Sequence, residues 1–168
     1  MSKFVPICGP FSADTVYCDG ILVARDVSVT LPEVAATTFD IQAMGTMTMP
    51  DWSRLENMET AITKIGVDHG LASMSKPGKR ELEFRGVQSV TDANGNVKNV
   101  GVKAFITGYS NKIPGIGVAV GETSENEFTY ATSRYLLFVD GNEMWCIDRV
   151  AGICRIDGVD YADMDSML

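Results

Sequence analysis

One histidine, four cysteines and 22 acidic side chains are the residues of this 168-residue chain that could do chemistry. A histidine-driven nucleophilic reaction would have to use His69, in the run Val67-Asp68-His69-Gly70 at an expected turn or helix start. A catalytic base must lie within hydrogen-bond reach of its partner, and a surface histidine fits this context better. Cys8, Cys18, Cys146 and Cys154 form no C-x-x-C pair, so the spacing is too loose for structural zinc. Cys18 and Cys146 alternate with apolar neighbours and read as buried reduced thiols. A Cys146–Cys154 bridge across a hairpin is conceivable, but a cytoplasmic origin argues against it. Glu56 with Glu59, and Asp163 with Asp165, are pairs of the kind glycoside hydrolysis uses. With so many acids, chance pairs on a hydrated surface account for them.

Phosphate chemistry fares no better. The run GYSNKIPGIGVAVGE holds Gly115, Gly117 and Gly121, but a dinucleotide fingerprint needs glycine where Val120 stands. It also needs a preceding βαβ context that is not there. No GxxxxGK[ST] occurs. The run reads as an exposed, partner-contacting loop. No enzyme activity, cofactor or metal is expected.

Composition narrows the partners. The chain is 45 % apolar and 21 % charged, as in ordinary soluble domains, and long enough for one well-formed core. No apolar run approaches a membrane span. The start MSKFVPICGPF has one lysine and no long apolar stretch, which predicts no secretory signal and a cytoplasmic beginning. Net charge is −8, and Asp140–Leu168 carries seven acids against two arginines. The basic residues Lys64, Lys76, Lys79, Arg80, Arg85, Lys98, Lys103 and Lys112 are scattered. Tight nucleic-acid binding needs them clustered. An acidic surface past which nucleic acid slides without sticking is compatible with this charge.

The elements that must position any site are strands. Val16–Cys18 and Ile21–Leu31 flank an Asp19-Gly20 turn, with Pro32 ending the second run. Arg80–Val90 and Val97–Tyr109 flank DANGN, and Asn126–Val139 turns through Asp140-Gly141 into Glu143–Asp148, followed by a short strand near Gly152–Asp157. Asp68–Ser75 is the one short helix. About eight strands and no linker predict a single mainly-β domain over 1–168, a barrel or sandwich, with an extension over 1–13.

Two long alternating runs stand out: Val34–Met44 and Leu55–Ile65, joined by the methionine-rich link GTMTMPDWSR. Ten residues of strand span about 33 Å. A hairpin over 34–65 would therefore project from its domain and invite pairing with another copy. Phe39 and Ile41 share one parity, and so do Met58 and Ile62; these are expected to face protein. Thr38, Asp40, Gln42, Asn57, Glu59 and Thr63 point the other way, as a water-filled tube wall or a plain hydrated face would. Met44, Met47, Met49 and Trp52 form either part of the domain's own core or an adaptable contact surface.

The stretches DGILVARDVSVTLPEV (19–34), LENMETAITKIG (55–66) and YLLFVDGNEMWCIDRVAGICRIDGVDY (135–161) resemble the major tail tube proteins of contractile-tailed phages and R-type bacteriocins. The order of these pieces covers about nine tenths of the chain. The resemblance implies a β-barrel or sandwich with a flanking helix and a long hairpin. It also implies hexameric rings stacked into a hollow tube, with the hairpins lining the bore. The same architecture is similar to the type VI secretion tube protein. The implied role is structural: a conduit for double-stranded DNA during infection, in a virion tail assembled in the host cytoplasm. The implied partners are further copies of the chain, the tail sheath, the tape-measure protein, and baseplate and tail-terminator proteins, with no membrane insertion. The family helix is usually longer than Asp68–Ser75, and Met1–Ala13 is longer than the family start. The competing expectation is a small monomeric β-barrel that closes over an apolar ligand.

Overall fold

The computed structural model describes residues 5–25 and 27–162. Among them are twelve strands and one helix. Three Asp-Gly hairpins set much of the topology: Asp19-Gly20, Asp140-Gly141 and Asp157-Gly158 all have positive φ at both positions. That geometry twists with the strands it joins, and aspartate and glycine tolerate it.

Strand β1 (Ile7–Cys18) pairs with β2 (Ile21–Arg25) across the first turn. It also pairs with β7 (Lys79–Thr91) along its other edge. The expected N-terminal extension is thus partly strand: Ile7 to Ala13 extend β1, with two irregularities in register. The run expected as one strand over 21–31 divides. Its second part, β3 (Ser28–Thr30), pairs with β6 (Met58–Ile65) instead of β1. Strands β7 and β8 (Val97–Ser110) form a long unbroken hairpin. Asp92 closes it by accepting from the backbone N–H groups of Asn94 and Asn96, both at 2.9 Å.

The organising element is β9 (Glu125–Val139). One edge pairs with β8 from Tyr130 to Val139; the other takes β6 along its first half and β10 (Asn142–Asp148) along its second. The register slips at Ser133, because Thr107 opposes Arg134 while Gly108 opposes Thr132. A bulge of one residue reverses side-chain parity. Before it, Asn126, Phe128, Tyr130 and Thr132 are buried; after it, Tyr135 and Leu137 are. Strands β11 (Ile153–Ile156) and β12 (Val159–Asp160) complete that edge. The ten-stranded sheet does not close into a barrel but folds over itself like a sandwich. Val16, Leu82, Ile106, Tyr135 and Ile147 meet Met58, Ile62 and Phe128 inside it.

Helix α1 (His69–Ser75) packs on β2, where Gly70 lies against the backbone carbonyl of Val23. Asp68 caps it by accepting from the Leu71 N–H at 3.2 Å, and also pairs with the buried Lys64 at 3.0 Å. Cys146 and Cys154 lie on adjacent strands but oppose Arg155 and Ile147 respectively, so they face opposite sides of the sheet and cannot bridge.

Candidate assembly surfaces

The long hairpin is not built from the two runs that the sequence suggested. Strand β4 (Ala36–Gln42) pairs with β5 (Thr46–Leu55), and the methionine-rich link is itself the returning strand. Leu55–Ile65 instead supplies β6, inside the main sheet. The turn is Ala43-Met44-Gly45, where Met44 has φ 50° and Gly45 φ 115°. A local signal existed. Thr46, Met47, Thr48 and Met49 alternate as a strand should, and Pro50, which cannot donate to a ladder, is tolerated on an edge.

This two-stranded ribbon forms a sheet of its own and is amphipathic. One face pairs Thr38 with Pro50, Asp40 with Thr48 and Gln42 with Thr46. Its polar groups satisfy one another: Thr48 Oγ1 donates to Asp40 Oδ1 at 2.9 Å, and Gln42 Nε2 donates to Thr46 Oγ1 at 3.2 Å. The other face pairs Phe39 with Met49 and Ile41 with Met47, and all four stay exposed. Burying such a block removes about 1.5–3 kcal/mol of unfavourable hydration per large apolar side chain. Met44, at the tip, is wholly exposed. Trp52 is not at the tip. The register jumps between Ala36–Leu55 and Thr37–Asp51, which places Trp52 in a bulge at the ribbon's root. There it lines a cavity of about 250 Å³ with Val34, Tyr135, Trp145 and Ile147.

The expected bore residues divide between two sheets. Thr38, Asp40 and Gln42 occupy the polar face of the ribbon. Glu59 and Thr63 lie on the outer side of β6, opposite Ala131 and Glu127 of β9, while Met58, Thr60, Ile62 and Lys64 point inward. Asn57 belongs to the short connection between β5 and β6, where its Oδ1 accepts from Arg149 at 3.3 Å. Glu125 and Glu127 share the outer parity of β9 and are exposed, so acids gather on this face beyond those the sequence singled out.

A second exposed apolar surface was missed altogether. On the outer side of the main sheet Phe105 opposes Leu136, and Lys103 opposes Phe138. The two phenyl rings meet edge to face at 5.6 Å. A groove of about 510 Å³ runs over Phe105, Leu136 and Phe138. The signal was the run Tyr135-Leu136-Leu137-Phe138, apolar at both parities, as in a strand covered on both faces.

The residues considered for catalysis are dispersed. His69 is exposed at the start of α1, and Glu56 and Glu59 are exposed on different elements. Asp163 and Asp165 lie outside the described residues. Residues 111–124 form an open loop in which Val118 and Val120 are exposed. Burial, more than any neighbouring charge, pushes the thiols of Cys18, Cys146 and Cys154 upward, which suits structural cysteines.

An open β-sandwich with a projecting amphipathic ribbon and a second uncovered apolar face is the form of a self-assembling structural subunit. The family model of phage tail tube protein FII matches residues 12–164, so the chain belongs to the phage tail tube family. No curated protein matches the chain. Family membership gives it a structural role in a phage tail tube, as a virion tail component that assembles with further copies of itself and other tail proteins.

Proposed function

We propose that the protein forms hexameric rings that stack into the hollow tube of a contractile phage tail, through which double-stranded DNA passes during infection. The observation that carries this is the β4–β5 ribbon: its polar face is self-satisfied while Phe39, Ile41, Met47 and Met49 remain uncovered. A soluble monomer rarely leaves such a block exposed, whereas a subunit buries it against a neighbour. Stacking by apolar contact also suits a chain of net charge −8, because like-charged rings repel. Met44, Met47 and Met49 supply the inter-ring contact, with Trp52 anchoring the ribbon's root. Thr38, Asp40, Gln42, Asn57, Glu59 and Thr63 line the bore, whose acids let DNA slide. The sheath surrounds the tube, the tape-measure protein fills it before DNA does, and baseplate and terminator proteins bound its ends.

The ligand-binding barrel has less support. Ile62, Phe128 and Tyr130 fill the space between the layers, and the apolar grooves lie on the surface. Negative-stain microscopy with light scattering on the purified protein tests the proposal. Rings or tubes are expected from the wild type, and folded particles that no longer stack from a Met47→Ser/Met49→Ser variant. Tubes of wild-type length from that variant would overturn the role of the methionines. A wild type that stays monomeric at high concentration and binds apolar ligands would favour the barrel.

A further inference from the structure

We infer that the apolar face of the β4–β5 ribbon of one copy docks on the outer Phe105–Leu136–Phe138 face of another copy, head to tail. This rests on the self-assembly reading and names the receiving surface.

Within one copy the ribbon's apolar block and Phe105 both stay exposed, and parity on β9 and β10 accounts for it. The ribbon's root, through Trp52, lies beside Tyr135, Trp145 and Ile147. Tyr135 and Ile147 are buried members of the core, and Trp145 packs against it. Leu136 and Phe138 alternate with these residues and so emerge on the opposite side of the same strands. A ribbon rooted on one side of a sheet is badly placed to cover the other side of that sheet. A second copy of the chain offers each surface the partner that its own copy does not. A contact between two unlike surfaces of one chain is heterologous, and such contacts make closed rings or open filaments.

The two surfaces match in shape and charge. Each presents a two-by-two block of cross-strand neighbours: Phe39/Met49 with Ile41/Met47 on the ribbon, and Phe105/Leu136 with Lys103/Phe138 on the sheet. Flat blocks of this size pack face to face at about 10 Å, as sheets in sandwiches do. Between residues 36 and 51 the ribbon carries Asp40 and Asp51 and no cation. On the receiving face Glu81, Glu83 and Asp140 already have cationic partners, in Lys79, Arg85 and Lys98. Lys103, exposed beside Phe138, has no ion-pair partner among the described residues. Asp51 shares the apolar face of the ribbon, two residues from Met49, and is the natural counter-charge.

Cross-linking tests the contact. In a Cys8→Ser background, which removes the one exposed native thiol, Thr37→Cys, on the rung of Asp51, and Lys103→Cys are made in separate chains. Both positions are on the surface, so the fold should tolerate them. The chains are mixed, allowed to assemble and treated with a short bis-maleimide. A covalent dimer should form in the mixture several-fold above either variant alone, because an interface that joins the ribbon of a Thr37→Cys chain to the sheet face of a Lys103→Cys chain holds both thiols, and neither variant by itself can form one. A dimer from Thr37→Cys alone, or none in the mixture, overturns the inference. Light scattering on the untreated mixture separates the two claims. Large particles without a cross-link refute this contact and leave self-assembly standing, whereas a wild type that stays monomeric beside an uncross-linked mixture refutes both.

Discussion

Tyr130 Oη donates a 2.6 Å hydrogen bond to the carbonyl oxygen of Met74, and both residues are fully buried. This bond ties the last turn of α1 to the central strand. It satisfies a helix-end carbonyl that has no partner within the helix. Desolvation, the largest effect, raises the phenol well above the usual tyrosine range.

Removing that hydroxyl should be costly for its size. Tyr130→Phe leaves a buried carbonyl unpaired and is expected to destabilise the fold by about 1–3 kcal/mol. The pH dependence has a definite sign. A phenol whose folded pKa is raised contributes stability that is fully present below the unfolded value of about 10, and that is lost as pH rises through the folded value. Urea midpoints should therefore fall above about pH 10 in the wild type, and less steeply in Tyr130→Phe. Parallel slopes would show that other groups govern alkaline unfolding.

Gly70 offers a test in which propensity and packing disagree. Alanine is better than glycine inside a helix by about 1 kcal/mol. A Cβ at Gly70, however, would lie 2.4 Å from the carbonyl oxygen of Val23, which is backbone and cannot swing aside. Gly70→Ala should push α1 off β2 and cost about 1–3 kcal/mol. A gain in melting temperature would mean that the helix seats more loosely than its contacts indicate.

Asp68 serves two partners, and its loss strands the buried one. The hydrogen bond from Lys64, followed by backbone donors, holds its carboxyl below the usual range. Asp68→Ala removes a helix cap and leaves Lys64, 6 % exposed at its side chain, without its counter-ion. A loss of about 2 kcal/mol is expected, toward the low end for a broken pair because Asp68 itself is hydrated. A depressed carboxylate contributes stability above the unfolded pKa of about 3.9, and that stability is lost as pH falls through the folded value. The variant should therefore show a flatter acid limb in its melting temperature below about pH 4.

The bore assignment can be probed by reversing its charge. Asp40→Lys and Glu59→Lys change exposed residues whose loss breaks no buried contact. Assembled variant tubes should retain double-stranded DNA at low salt where the wild type does not. Each new phosphate contact should steepen the salt dependence by about 0.9 in log–log slope. Unchanged DNA retention in intact tubes would place these residues away from the bore.

Much of this molecule was legible locally. Strand content, the Asp-Gly and Asn-Gly turns, the short helix and the inward parity of Met58 and Ile62 all follow from interactions within a few residues, which alternation and turn chemistry report directly. The family resemblance was legible too, because it rests on the order of such pieces. Pairing was another matter. Val34–Met44 alternates equally well whether its partner is Leu55–Ile65 or the threonine–methionine link, since period-two patterning names a face and not a neighbour. The division of 21–31 into β2 and β3, the Ser133 bulge that turns Leu136 and Phe138 outward, and the glycine contact at Val23 depend on what lies across the sheet. Those choices depend on long-range contacts, and only the tertiary structure decided them.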